Sequence, residues 1–243
     1  MRSLTAATAG LVGPRDPAQP LLTLVQGDAR VELSGSTTSN WVAKTANLLV
    51  DGLGGPQRVG VLLPLHWQLL VVVLAGVATG ATVVVARDDV ELRDCDAAFT
   101  TVEHAAAALA AGVGDVLAVS THPLGLPLPA LPLGVLDHAR EVPGHADAWT
   151  GPAPERADVL AGGAPLGPLP PLGLTAADRL LVDLPTDDPD TLGVLLGTLA
   201  ASAAVVLLPG GAALDVRAVT ALAGAERATA SAGLAVPGLR RVA

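Results

Sequence analysis

The longest apolar stretch of the chain, Arg58 to Arg87 (RVGVLLPLHWQLLVVVLAGVATGATVVVAR), changes its pattern partway along. Val59 to Leu63 is a β-branched and leucine run stopped by Pro64. Proline cannot donate to a sheet ladder, so the run predicts a buried strand ending at a turn. From His66 to Val77 the residues are helix formers, Gly80 supplies a helix terminus, and Ala81 to Val85 predicts a second buried strand. A strand, helix, strand unit with strands apolar throughout is the mark of a parallel sheet covered by helices on both faces. The competing reading is a membrane span over Trp67 to Ala86. The Gly76, Thr79 and Gly80 interruptions, the valine-rich second half and the lack of basic flanks speak against it.

The same pattern recurs. Arg179 to Pro185 (RLLVDLP) repeats Arg58 to Pro64, and Leu192 to Leu208 (LGVLLGTLAASAAVVLL) repeats Leu69 to Val85. The chain is therefore expected to be an α/β protein of two similar lobes with mostly parallel sheets flanked by helices. The first lobe would span residues 1–150 and a second, truncated one residues 151–243. Upstream, Leu21 to Val25 and Arg30 to Leu33 flank Gln26-Gly27-Asp28 and predict a β-hairpin. Ser36 to Thr38 offer caps for an amphipathic helix from about Ser39 to Asp51, with Trp41, Thr45, Leu48 and Leu49 on one face and a stop at Gly52-Leu53-Gly54-Gly55. Thr5 to Gln19, rich in Gly, Pro and Ala, reads as a short helix or irregular arm.

Composition narrows the partners. The 243 residues are 51% hydrophobic but include one Phe, three Trp and no Tyr, so the core must be built from Leu, Val and Ala. A net charge of −9 disfavours nucleic acid, whose phosphates need a basic surface. No basic amphipathic face is present to meet an anionic membrane. The N-terminus lacks a continuous apolar segment with a cleavage motif, and the single cysteine allows no internal disulfide, so a cytoplasmic location is expected. Cys95 lies between Asp94 and Asp96, whose carboxylates would raise a thiol pKa, and is expected to be inert.

A hairpin, a capped helix running into GLGG, then RVGVLLP and LLVVVLAGVATGATVVV resembles the opening of the AMP-dependent synthetase and ligase superfamily, the acyl-adenylate-forming enzymes. Asp94 to Thr101 (DCDAAFTT) resembles the family's next strand. Thr175 to Gly210 resembles the segment after its phosphate-binding loop. The resemblance covers about half the chain and implies the fold of the N-terminal part of an adenylate-forming ligase. It also implies that a Ser/Thr/Gly-rich loop ending in lysine should stand just before Thr175, where it would wrap the phosphates of ATP. Leu160 to Leu174 (LAGGAPLGPLPPLGL) has no Ser, Thr or Lys there, and each of its prolines removes a main-chain donor. The family's later Gly-Thr-Glu motif, its ribose-binding Asp and the C-terminal lobe with its catalytic lysine are absent or lie beyond the point where this chain ends. Lys44, mid-helix in the first lobe, reads as a solvated face residue.

Other chemistries are sparsely represented. There is no Gly-Lys pair for a Walker loop, no G-x-S-x-G elbow, and no complete G-x-G-x-x-G in the required context. Ser34-Gly35-Ser36 reads as helix capping. Asp137 to Asp147 (DHAREVPGHAD) is the most polar constellation: His138 and Glu141 lie one helical turn apart, and His145 could return after Pro143-Gly144 to complete a metal site, with a solvated surface helix as the plainer reading. His66 sits where a strand's carboxyl end meets a helix start, either as a cap or as a ligand or base. Asp183, Asp187, Asp188 and Asp190 surround the second such junction, either meeting a helix dipole or forming a carboxylate cluster. His104 and His122 are isolated.

The expectation drawn from these residues is a degenerate, non-catalytic homologue serving as a binding or interaction module, with no cofactor and no assigned catalytic or metal residues. Two alternatives stand beside it. One is a ligase-like enzyme that binds ATP, AMP or an acyl group and is completed by a partner. The other is a metal-dependent enzyme using His138, Glu141 and His145. A homodimer or a protein partner is expected, on the ground that a shortened ligase exposes apolar surface.

Overall fold

The computed structural model describes residues 16–152 and 158–242. Of the expected N-terminal arm, Asp16 to Gln19 form a turn closed by the Gln19 amide on the Asp16 carbonyl at 2.9 Å; Thr5 to Arg15 lie outside the described residues. Strands β1 (Pro20–Gln26) and β2 (Ala29–Ser34) form the hairpin, with Gly27 in the left-handed backbone that its tight turn needs. Helix α1 (Gly35–Asn47) starts four residues earlier than expected. Ser34 at the end of β2 already caps it, its hydroxyl accepting from the Thr37 amide at 3.1 Å, so Ser36 to Thr38 fall inside the first turn.

The central unit follows its sequence pattern closely. Strand β3 (Arg58–Leu62) leads through Pro64 into α2 (Trp67–Thr79) and back to β4 (Thr82–Val85), with Gly80 at φ +82° ending the helix. Every residue from Trp67 to Ala78 is buried, so α2 is wrapped on all sides by protein. Gly76 makes that possible, since a Cβ there would stand 2.5 Å from Val83 Cγ2. Among the described residues no helix is long and apolar enough to cross a membrane.

The chain continues through β5 (Ala97–Thr100), α3 (Val102–Ala110), β6 (Asp115–Ala118), β7 (Val135–Asp137) and the single-turn helix α4 (His138–Glu141). A short pair, β8 (Val159–Ala161) and β9 (Ala164–Pro165), precedes the second unit: β10 (Arg179–Val182), α5 (Pro189–Ala200) and β11 (Ala204–Leu207). Helix α6 (Val216–Ala225), β12 (Ala230–Ala232) and β13 (Arg240–Arg241) complete the fold.

Two sheets result. One has the order β7-β6-β5-β3-β4-β8-β9, the other β13-β12-β10-β11-β1-β2; all neighbours are parallel except β8 with β9 and β1 with β2. The sheets interleave in sequence and do not part at residue 150. The N-terminal hairpin joins the second sheet, with Leu22 opposite Val205, and β8 joins the first, with Val83 opposite Val159. The reason is burial: Leu21 to Leu24 are buried on both faces of β1, which a free-standing hairpin could not achieve.

Alternation along the strands then sorts the core into layers. Val59 and Val61, with Leu180, Val182, Val205 and Leu207, point into one large core between the sheets, shared with α1, α2 and α5. Ala98, Val116 and Ala118 face outward onto α3, and Leu181 and Val206 face outward onto α6.

Candidate site at the carboxyl edge of the first sheet

At their carboxyl ends β3, β4 and β5 release three diverging connections. Pro64 to His66 lead into α2 between the sheets, Ala86 and Arg87 lead to a short turn, and Thr101 opens α3 on the outer face. Neighbouring strands that send their helices to opposite faces leave a crevice, the usual ligand position in open α/β sheets. Here it is a cavity of about 340 Å³ lined by Leu63, Pro64, Arg87, Thr101, His104 and Asp187, among others. Thr186, from the loop after β10, closes one side by donating its hydroxyl to the Leu63 carbonyl at 3.2 Å.

The basic and imidazole groups of this crevice are already engaged. Arg87 donates from Nε to Glu91 Oε1 at 2.7 Å, a second nitrogen bonds the same oxygen, and the Arg87 amide bonds Glu91 Oε2 at 3.0 Å. These bonds to Glu91 raise the guanidinium pKa above its ordinary value. His104 Nδ1 lies 3.1 and 3.3 Å from the two carboxylate oxygens of Asp89.

On the rim stands the segment in which the superfamily resemblance implies a phosphate loop. It opens with a two-residue turn. Gly162 and Gly163, at φ +53° and +79°, join β8 directly to β9. The Gly162 amide is consumed by the Val85 carbonyl at 3.0 Å, and a Cβ on Gly162 would lie 2.4 Å from the Asp187 carbonyl oxygen. The proline-rich continuation packs onto α5, where Gly193 and Gly197 admit Pro170 and Leu172, and it buries Leu169 and Leu174.

Beside the crevice the amino end of α2 carries a buried polar group. His66 is its cap, with Nδ1 accepting from the Gln68 amide at 3.3 Å. Gln68 and His138 are completely buried, their Nε2 and Nδ1 atoms 3.5 Å apart. His138 stacks on Trp41 and meets Phe99 edge-on. Burial holds both rings well below the usual histidine range, to about 4. Both are therefore neutral near pH 7.

Among the described residues no three His, Cys, Asp or Glu side chains are placed to share a metal ion. His138 lies in the core, Glu141 is exposed, and His145 packs against Gly52, so the three residues of the alternative metal reading are not brought together. Of the four aspartates, Asp188 caps α5 by accepting from Asp190 and Thr191 amides, and Asp183 accepts from the Gly210 and Ala212 amides. Lys44 is partly exposed, and its Nζ donates to the His145 carbonyl at 2.5 Å and pins the turn after α4 to α1. Cys95 is buried, and burial first, with Asp96 and Asp94 adding, pushes its thiol up to about 11. His122 is exposed, with Nδ1 accepting from the Leu124 amide at 3.1 Å. The sequence reading passed over Gln68 and Arg87. Both left a signal: Gln68 is the one non-apolar side chain between Trp67 and Ala78, and Arg87 stands four residues before Glu91, the spacing of a local ion pair.

The two facing α/β sheets with the crevice at their strand ends are the fold of the adenylate-forming ligases. An acyl-CoA synthetase of Brucella canis matches with a TM-score of 0.74 at 16% identity, over 93% of this chain and 46% of that one. The anthranilate CoA ligase AuaEII in complex with anthranoyl-AMP matches at 0.72 and 16%, over 96% and 50%. The ATP-bound MatB of Rhodopseudomonas palustris matches at 0.70 and 19%, over 96% and 49%. The chain spans about half the length of these solved structures. At the level of sequence it is 36% identical over 203 residues to a TIGR03089 family protein of Mycobacterium tuberculosis, covering 79% of this chain and 83% of that one. The chain belongs to the TIGR03089 family. No protein-family model matches it.

Proposed function

We propose that this protein is a non-catalytic relative of the adenylate-forming ligases that serves as a binding or interaction module. The observation that carries the reading is the Gly162-Gly163 turn. A phosphate cradle needs several main-chain amides free and converging on one point. This turn has two residues, the first amide is bonded to β4, and the prolines that follow offer none. The surroundings support it. Arg87 and His104 already face carboxylates, so an incoming phosphate would have to displace Glu91 or Asp89. Lys44, the one lysine of the chain, is held at the His145 carbonyl.

The test is thermal unfolding with and without millimolar ATP–magnesium, AMP or coenzyme A, since a ligand that binds only the native state must raise the midpoint. No shift with any of the three is expected. A reproducible rise with ATP or AMP would overturn the reading in favour of the second one, a nucleotide-binding enzyme completed by a partner. That alternative is favoured by one observation, the crevice that stays open at the strand ends. The partner we propose is a protein, a second copy of this chain included. Leu124, Leu126 and Leu133 stand exposed on the loop before β7, as such a contact requires. A monomeric profile in size-exclusion chromatography at high concentration would count against self-association.

A further inference from the structure

We propose that two copies of this chain associate by pairing β2 with β2, antiparallel about a two-fold axis at Val31, so that their second sheets run on as one. The proposal rests on the reading above that the partner is a protein, and it names the surface. Among the described residues the two sheets end in four edge strands, and three of these are short: β9 and β13 have two residues and β7 has three. Strand β2 has six and no proline, and no described strand pairs with its outer side. Such an edge is a template for another strand. Its free groups follow from the hairpin. Gln26 faces Ala29 across the two-residue turn, and alternation from that hydrogen-bonded pair turns the N–H and C=O of Arg30 and Glu32 away from β1.

Charges on an edge strand normally guard it against pairing. On β2 they leave one register open. Arg30 and Glu32 project from the same face, 2.5 Å from each other, with Arg30 also 2.6 Å from Glu226, and both keep exposed surface for a further partner. Two registers of an antiparallel β2 pair overlap five of the six residues and bring the outward main-chain groups together. One centres on Glu32 and sets that carboxylate opposite its own copy, and like charges directly opposite destabilise a sheet. The other centres on Val31. It sets Arg30 opposite Glu32 of the second copy, and Glu32 opposite Arg30, each pair exchanging both main-chain hydrogen bonds. A register centred on Arg30 would overlap only three residues and oppose two guanidinium groups. The edge is thus self-complementary, as a two-fold contact requires. On the opposite face the half-buried Val31 meets its own copy and extends the row that buries Leu33.

Sedimentation velocity of the full chain over a range of concentrations tests this. The native protein should run as a dimer, and a monomer at every concentration up to millimolar would overturn the proposal. Arg30→Glu and Glu32→Arg each set like charges opposite one another and should weaken the dimer about tenfold. An equal mixture of the two variants restores opposite charges at both positions and should dimerise like the native chain. A dimer that both variants keep, or one that mixing does not restore, would overturn the pairing and send the contact to another surface such as the exposed leucines. If the variants do not fold, amide exchange in the native protein decides. The Arg30 and Glu32 amides should exchange more slowly as the concentration rises, and exchange independent of concentration would sink the idea. None of these outcomes depends on the Gly162-Gly163 turn or its nucleotide test, so the two readings fail separately.

Discussion

The two strand–helix–strand units, β3–α2–β4 and β10–α5–β11, are built from nearly the same apolar pattern and do different things at their edges. Both bury almost the whole helix between the sheets, and both pair their strands in parallel. The difference lies in the few polar residues at the ends. The first helix is capped by the buried His66 imidazole, and in its first turn the buried Gln68 amide adjoins a second imidazole, His138. The second is capped by Asp188 behind Pro189, and its glycines receive the proline-rich segment. At the other end the arginines that begin the two leading strands also diverge. Arg58 has its main-chain amide bonded to Asp96, whereas the Arg179 guanidinium is sunk in a network with Glu226, Arg30 and Thr23. A shared apolar pattern sets the unit, and the polar residues beside it set the chemistry.

The sharpest way to separate the two units is acid. In the unfolded chain both histidines titrate near 6.5, and in the folded protein His66 and His138 are held near 4. Below pH 6.5 the unfolded state therefore binds protons that the folded state refuses, so stability falls as pH drops from 6.5 to 4 and levels off below. The loss is on the order of 3 kcal/mol per histidine. The second unit, Arg179 to Leu208, contains no histidine and contributes nothing to this. Urea unfolding across that pH range should show the decline, and His66→Asn, which can still cap, should remove one of the two shares.

Glu226→Ala attacks the second unit where the first has no counterpart. It strips the nearer of two carboxylates from Arg179, which is 14% exposed and keeps Glu32 at 3.5 Å, and should cost about 2–3 kcal/mol; the half-exposed Arg30 adds little because water screens it. A fall in the urea midpoint of under 0.5 kcal/mol equivalent would contradict the picture of a buried network.

Gly76→Ala returns to the first unit. The added methyl meets Val83 at a distance no real contact adopts, and the expected cost is about 1–3 kcal/mol. Gly193→Ala in the second helix finds its neighbours at 3.5 Å or more, ordinary contact, and should be neutral or slightly stabilising through helix propensity. Thermal unfolding of the pair gives the comparison. The smallest destabilisation is expected of Asp188→Ala, which removes one cap at about 1 kcal/mol and should leave the acid dependence of the first unit unchanged.

Much of the fold was legible in the residues. Pro64 and Gly80 marked the ends of the central unit, Gly27 marked the hairpin, and the repeat at Arg179 marked the second unit. Those signals are local, because proline and glycine restrict or free the backbone wherever they stand. His66 was readable as a cap for the same reason. The site was less legible. His138, Glu141 and His145 looked like a set because they are close in sequence, yet burial of His138 against Phe99 and Gln68 sends it away from the exposed Glu141. Lys44 looked solvated because a helix position alone does not reveal that another loop's carbonyls will close over it.

By itself the sequence determined the alternation of strands and helices, which residues face the core, and the absence of Ser, Thr and Lys from residues 160–174. These follow from periodicity and from side-chain and backbone chemistry that act within a few residues. Only the tertiary structure decided that the N-terminal hairpin belongs to the second sheet, that Arg87 and His104 are held by carboxylates, and that Gln68 and His138, 70 residues apart, share one buried place. Those pairings depend on which apolar surfaces find each other, and the burial that brings them together fixes the partners and charge states of the polar groups carried along.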